Sequence, residues 1–258
     1  MEKKSLLKQK NKPKHTLDKA KIWLCAWTVG LSCGALVAFL RMVRLIRVDG
    51  GGLKIRDIVK LSAKGEKIVV IFNHPSMLEA FVLPALAFPF NLIPRFAFIS
   101  LPDHRFYWAK WFAFFRPVCV PVPRNKSPRE NGEMAISIIN TINRKFVTLI
   151  GAEGGRTCNG KQFKEKNGKR IRRFERGVDS VLKRTDPIVI LAWSSGGDGI
   201  MRNEEADYSG TDRRWLPKIR WKGRSFSVRF GQPIRYSEIV SEDKLSALED
   251  MLLDLANE

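Results

Sequence analysis

The sequence predicts an α/β fold, a mostly parallel sheet flanked by helices and preceded by an N-terminal membrane-attached helix. Three observations lead there. Short β-branched runs, at 68–72 and 188–193, alternate with helix-length segments; Ser127, Pro128 and Glu130 form a helix-opening capping box; and residues 22–40 contain no charge. Alternating strands and helices favour a parallel sheet covered on both faces, and the capping box marks a helix start.

Residues 1–21 carry eight lysines against Glu2 and Asp18, the composition of a basic arm. The uncharged run that follows is, as a helix, roughly 28 Å long, close to the hydrocarbon thickness of a bilayer. Arg41, Arg44 and Arg47 continue it at helical spacing, so residues 22–48 read as one membrane-attached helix with positive charge at both ends. Charge on both flanks gives no orientation and favours an interfacial or re-entrant anchor. A secretory signal and a buried helix compete with this reading. The run is long for a signal core and ends in arginines instead of a small-residue cleavage site. Gly50, Gly51 and Gly52 close the segment, and residues 49–258 form the globular domain.

Within that domain the expected order begins with a strand at 68–72, a helix near 77–87, a strand at 95–99 and an aromatic helix at 104–115. A strand at 118–122, a helix from 128 to about 145 and a strand at 146–150 come next. A polar loop and short helix reach about residue 183, then a strand at 188–193 and a long polar loop to 217. A hairpin-like pair around 219–230 and a helix from 241 complete the chain.

A chain of 258 residues suits one α/β domain, and 44% hydrophobic with 28% charged residues excludes disorder. An excess of 46 Lys and Arg over 26 Asp and Glu, net +20, favours an anionic partner: nucleic acid, an anionic membrane face or a phosphorylated substrate. Cys25, Cys33, Cys119 and Cys158 show no CxxC or Cys/His spacing, so neither a zinc site nor a disulfide framework is expected. No metal or cofactor is implied.

Two strand ends bear chemistry. His74 lies in the turn Asn73-His74-Pro75-Ser76 after the first strand, and Glu79 opens the helix beyond it. A carboxylate near an imidazole fixes its tautomer and supports a general base. Ser76 and Glu79 equally have capping-box spacing, so a capped turn is the competing reading. The second end is Gly151-Ala152-Glu153-Gly154-Gly155-Arg156-Thr157, where glycines let a ligand approach the backbone and arginine offers a fork of donors to phosphate. A glycine turn with a surface ion pair is the alternative there.

Taken in order, four stretches resemble the glycerolipid acyltransferase family: NHPSMLE at 73–79, VPVPR ending at Arg124, EGGRT at 153–157 and the apolar strand from Pro187. FERG at 174–177 is similar to the family's FKxG, and VRFGQPI at 228–234 to its closing strand. The resemblance implies that His74 takes the proton of an acceptor hydroxyl that attacks an acyl thioester, and that Glu79 orients His74. It implies that Arg124, Glu153, Gly154, Gly155, Arg156 and Thr157 bind the acceptor's phosphate and glycerol end. Backbone N–H groups at Gly154 and Gly155 are the expected oxyanion donors. Acyl-CoA or acyl carrier protein would be the donor and a lysophospholipid, 1-acylglycerol-3-phosphate first, the acceptor. The expected location is the cytoplasmic face of a bacterial inner membrane. The chain departs from the family pattern at Glu79, usually aspartate, at Pro123 and Leu191, and in a long lysine-rich span between Thr157 and Phe174.

Phe106, Tyr107, Trp108, Trp111, Phe112, Phe114 and Phe115 surround a helix with Arg105 and Lys110, a composition suited to a membrane interface or an acyl-chain groove, or to a buried helix. Other classes are a membrane-tethered basic protein without catalysis and a hydrolase using His74. No nucleic-acid-binding motif and no GxSxG elbow occur, so no nucleic-acid partner is expected.

Overall fold

A computed structural model describes residues 19–49, 55–76, 79, 82–83, 86, 98–101, 110–122, 127–154, 162–202, 218–219 and 225–257. Helix α1 (Lys19–Met42) leads into β1 (Ile46–Asp49), α2 (Ile55–Ala63) and β2 (Ile68–Phe72). Then come β3 (Phe98–Ser100), a 3₁₀ segment (Lys110–Val118), α3 (Pro128–Asn143) and β4 (Val147–Ile150). The hairpin β5 (Phe163–Lys166) and β6 (Lys169–Arg172) precedes α4 (Arg176–Thr185), β7 (Ile188–Ser195), α5 (Gly197–Ile200) and β8 (Met201–Arg202). Strands β9 (Lys218–Ile219), β10 (Phe226–Phe230) and β11 (Ile234–Arg235) lead to α6 (Lys244–Leu255).

The main sheet has the order β1-β10-β7-β2-β4-β3, with β11 also on β7. Strands β3, β4, β2 and β7 are parallel, and β10 meets β7 antiparallel. The expected mostly parallel α/β sheet is therefore present. Its middle strand, β2, is buried along its whole length. Alternation divides that strand between two cores. Val69 and Ile71 face the side that includes Ile138, Leu182 and Leu252 of α3, α4 and α6, while Ile68, Val70 and Phe72 face the side that includes Ile58 of α2. Each such aliphatic side chain contributes roughly 1.5–3 kcal/mol by leaving water, so β2 is a rigid platform for whatever follows Phe72.

The α3 start is as expected: Ser127 Oγ accepts from Glu130 N–H, Ser127 N–H donates to Glu130 Oε2 at 3.2 Å, and Pro128 takes the first helical position.

Elsewhere the chain differs from the expectation. Residues 22–48 are not one helix: α1 stops at Met42, Arg44 is left-handed at φ 59°, and Arg47 lies on β1 opposite Ser227. Buried Ile46 beside exposed Arg47 has strand periodicity, and parallel pairing with β10 satisfies its backbone. Residues 118–122 do not form a sheet strand. The 3₁₀ segment runs to Val118, and Cys119 makes an isolated bridge to Ser100. Residues 219–230 are not a hairpin, because β9 pairs with β8 whereas β10 joins the main sheet. The hairpin β5–β6, expected as loop, turns at Asn167 and Gly168 with φ of 51° and 73°, the backbone of a two-residue turn that Asn-Gly favours. The first half of the aromatic segment, 104–109, and most of the helix expected at 77–87 lie outside the described residues, and residues 110–115 belong to the 3₁₀ segment, not to an α-helix.

Helix α1 packs through Ile22, Cys25 and Val37, which are buried. Trp23, Leu24, Trp27, Leu31, Phe39 and Met42 stay exposed, Leu24 at 57% and Met42 at 73%. Among the described residues no helix is long and apolar enough to cross a membrane.

Candidate active site

Because β2, β4 and β7 are parallel and adjacent, their C-terminal ends share one edge of the sheet. That edge brings together the Asn73–Ser76 turn, the Gly151–Gly154 turn and Ser194–Gly197, three segments distant in sequence.

His74 stands at the centre. Its Nδ1 lies 3.2 Å from Glu79 Oε2, and its side chain is 24% exposed while Glu79 is fully buried. A ring nitrogen facing a carboxylate carries the proton, which leaves Nε2 as the acceptor. The ring sits edge-on to Phe72, with centroids 5.8 Å apart. Gly151 lies alongside, where a Cβ would stand 3.6 Å from Phe72 and 3.9 Å from His74 Cδ2. The backbone N–H of His74 donates to Glu153 Oε1 at 2.8 Å.

Glu79 binds the turn as well as the imidazole. Ser76 N–H donates to Oε2 at 3.2 Å, one half of a capping box, while Ser76 Oγ–H donates to Oε1 at 2.8 Å. One carboxylate thus holds Ser76 and faces the imidazole. Gly197 presses against it from β7's end, where a Cβ would meet Ser76 Oγ at 2.4 Å and Glu79 Oε1 at 2.8 Å.

Asn73, buried, locks the turn to β7. Its Nδ2 donates to Ser194 O at 2.8 Å, and its Oδ1 accepts from Ser194 N–H at 2.6 Å and from Ser194 Oγ–H at 3.1 Å. Sequence reasoning passed over Asn73, Ser194 and Gly197. The small-residue run Ser194-Ser195-Gly196-Gly197 directly after an apolar strand was the available signal.

The second motif is arranged differently from the expectation. Glu153, expected against an acceptor, is fully buried beneath the turn, with Oε2 accepting from Arg172 N–H at 2.9 Å. Gly154 N–H, expected to face an oxyanion, donates to Gly151 O at 3.2 Å and closes a turn. Gly154 has φ +64°, a conformation that favours glycine, and a Cβ there would meet Glu175 Oε1 at 2.4 Å, so the Glu175 side chain would have to move. Arg124, Gly155, Arg156, Thr157 and Cys158 lie outside the described residues.

The later motifs brace this edge. Glu175 N–H donates to Ala152 O at 2.9 Å, and Phe174 N–H to the buried Glu249 Oε1 at 2.7 Å. Hairpin β5–β6 is held on α6 by Lys164 with Asp250 at 2.7 Å, Arg173 with Glu249 at 2.7 Å, and Lys166 with Asp254. Several of its basic residues are therefore already paired within the chain.

No protein-family profile and no curated protein matches the chain in sequence. Among solved structures, the fold is similar to the crystal structure of the 1-acyl-sn-glycerophosphate (LPA) acyltransferase PlsC from Thermotoga maritima, with a TM-score of 0.52 and 14% identity, covering 90% of this chain and 78% of that one. This chain shares the α/β fold of a known lysophosphatidic acid acyltransferase.

Proposed function

We propose that this protein is an acyltransferase that moves a fatty acyl group from an acyl thioester, acyl-CoA or acyl carrier protein, to a hydroxyl of a lysophospholipid, 1-acylglycerol-3-phosphate first. The observation that carries the reading is the pairing of His74 with Glu79 at the C-terminal end of β2. The fold shared with the Thermotoga maritima enzyme supports it.

In this reading His74 Nε2 takes the acceptor hydroxyl's proton as its oxygen attacks the thioester carbonyl. The tetrahedral intermediate then collapses, the C–S bond breaks, and the imidazolium returns the proton to the leaving thiolate. Buried Glu79 stabilises the imidazolium between the two transfers, and a base so placed contributes ~10²- to 10⁴-fold. Arg124 and Arg156 are proposed to hold the acceptor's phosphate, with Gly155 and Thr157 beside them. The exposed apolar side chains on α1, with Trp23 and Trp27, support attachment to a membrane surface, and the cytoplasmic face of a bacterial inner membrane is the proposed location.

The test is acyl transfer by detergent-purified protein from acyl-CoA and from acyl carrier protein to a panel of lysolipids and glycerol-3-phosphate. Transfer that is lost in His74→Ala, with the fold intact, is the expected result. Equal turnover in that variant would remove His74 as the base.

A further inference from the structure

Glu153 lies just past the C-terminal end of β4, fully buried, and reaches two segments that are far apart in sequence. Its Oε1 accepts from His74 N–H at 2.8 Å, and its Oε2 accepts from Arg172 N–H at 2.9 Å. His74 lies past the last residue of β2, so no sheet ladder holds its N–H. Arg172 stands opposite Phe163 in the hairpin, with its N–H turned to Glu153. A carboxylate accepting from backbone N–H groups makes charge-assisted bonds, stronger than neutral ones. Loss of either would leave a polar group unpaired inside the protein.

We infer that Glu153 is a positioning residue for His74, a clamp that ties the backbone of the base-bearing turn to hairpin β5–β6. The inference rests on the acyl-transfer reading of His74. Glu79 then holds the imidazole at Nδ1 while Glu153 holds the same residue at its main chain, so the ring is constrained from both ends. The hairpin becomes part of the catalytic scaffold. It is anchored on one side to α6 through Lys164, Lys166 and Arg173, and on the other to the turn through Arg172 N–H. Glu153 therefore acts on turnover and not on acceptor affinity.

Three variants test this by steady-state kinetics together with hydrogen exchange at the His74 amide. Glu153→Gln substitutes an amide donor for one acceptor oxygen, and kcat is expected to fall ~10- to 100-fold with acceptor KM within about twofold. Arg172→Pro removes the hairpin's N–H, and Arg172→Ala keeps it. The proline variant is expected to lower kcat further than the alanine variant. Exchange at His74 is expected to accelerate in Glu153→Gln. A raised acceptor KM with unchanged kcat in Glu153→Gln would make Glu153 an acceptor ligand and overturn the clamp, as would equal kcat in the two Arg172 variants. If Glu153→Gln fails to fold, the Arg172 pair still decides. If the wild type transfers no acyl group, the proposed function fails while exchange at His74 judges the clamp independently, unchanged protection in Glu153→Gln refuting it.

Discussion

The side-chain amide of Asn73 pairs with the main chain of Ser194 as one peptide group pairs with another, donating at 2.8 Å and accepting at 2.6 Å. Strand β2 ends its ladder with Phe72 opposite Ala192, and Asn73 prolongs the attachment to β7 with a side chain. The backbone of the turn is thereby freed to leave the sheet and present His74.

Asn73→Ala leaves the N–H and C=O of buried Ser194 without this partner. A destabilisation of about 1–3 kcal/mol is expected, read from urea unfolding midpoints. Asn73→Asp removes the donor to Ser194 O and is expected to destabilise as well, whereas a midpoint equal to wild type in both variants would contradict the pairing.

Gly197→Ala places a methyl group against Ser76 Oγ and Glu79 Oε1. The Glu79 carboxylate must shift, so acyl transfer is expected to drop by roughly tenfold or more, the equivalent of ~1.4 kcal/mol in the transition state. The comparison is kcat in Gly197→Ala against wild type, beside a thermal melt showing that the variant is folded.

Asp179 gives a pH prediction. Burial tends to raise its carboxyl, but hydrogen bonds from Lys183 and Tyr236 outweigh burial and hold it below the ordinary carboxylate range. A lowered native value means that stability is present above the unfolded-state value, about 3.9, and is lost as pH falls through the native one. Asp179→Asn is therefore expected to be less stable than wild type at neutral pH, with the gap closing as pH drops below about 4. Urea midpoints of both proteins between pH 3 and 7 check this.

Cys25 and Cys119 are buried free thiols. Burial pushes Cys25 up to about 11 and Cys119 further still. Thiolate is the reactive form, so both are expected to resist iodoacetamide at pH 7.5 in native protein and to react fully in urea, as followed by peptide mass spectrometry. Rapid labelling of Cys25 in the native state would show that α1 separates from the domain.

The sequence by itself determined the sheet-forming runs, the capped α3 and the order of the motifs, because these depend on neighbours within a few residues. β-branched alternation makes β2 and β7 legible, and Ser127 with Glu130 makes the α3 start legible. The hairpin β5–β6 was equally available in Asn167-Gly168, but its charged flanks lack the apolar alternation that marks a strand. Ion pairs to Glu249, Asp250 and Asp254 on α6 supply the support that local burial does not.

Other features belong to the tertiary structure alone. That Ile46–Asp49 forms a strand depends on β10, some 180 residues later, offering a free edge. Whether Glu79 caps a helix or faces His74 could not be separated by spacing, because a five-residue interval across a turn has no fixed geometry. In the folded chain Oε2 faces His74 and also accepts from Ser76 N–H. Glu153 reads in sequence as an exposed acid in a glycine loop. It is buried because β4 lies beside β2, which sets its carboxylate under the turn where two backbone N–H groups converge. Such convergence is a property of strand order, and no local pattern encodes it.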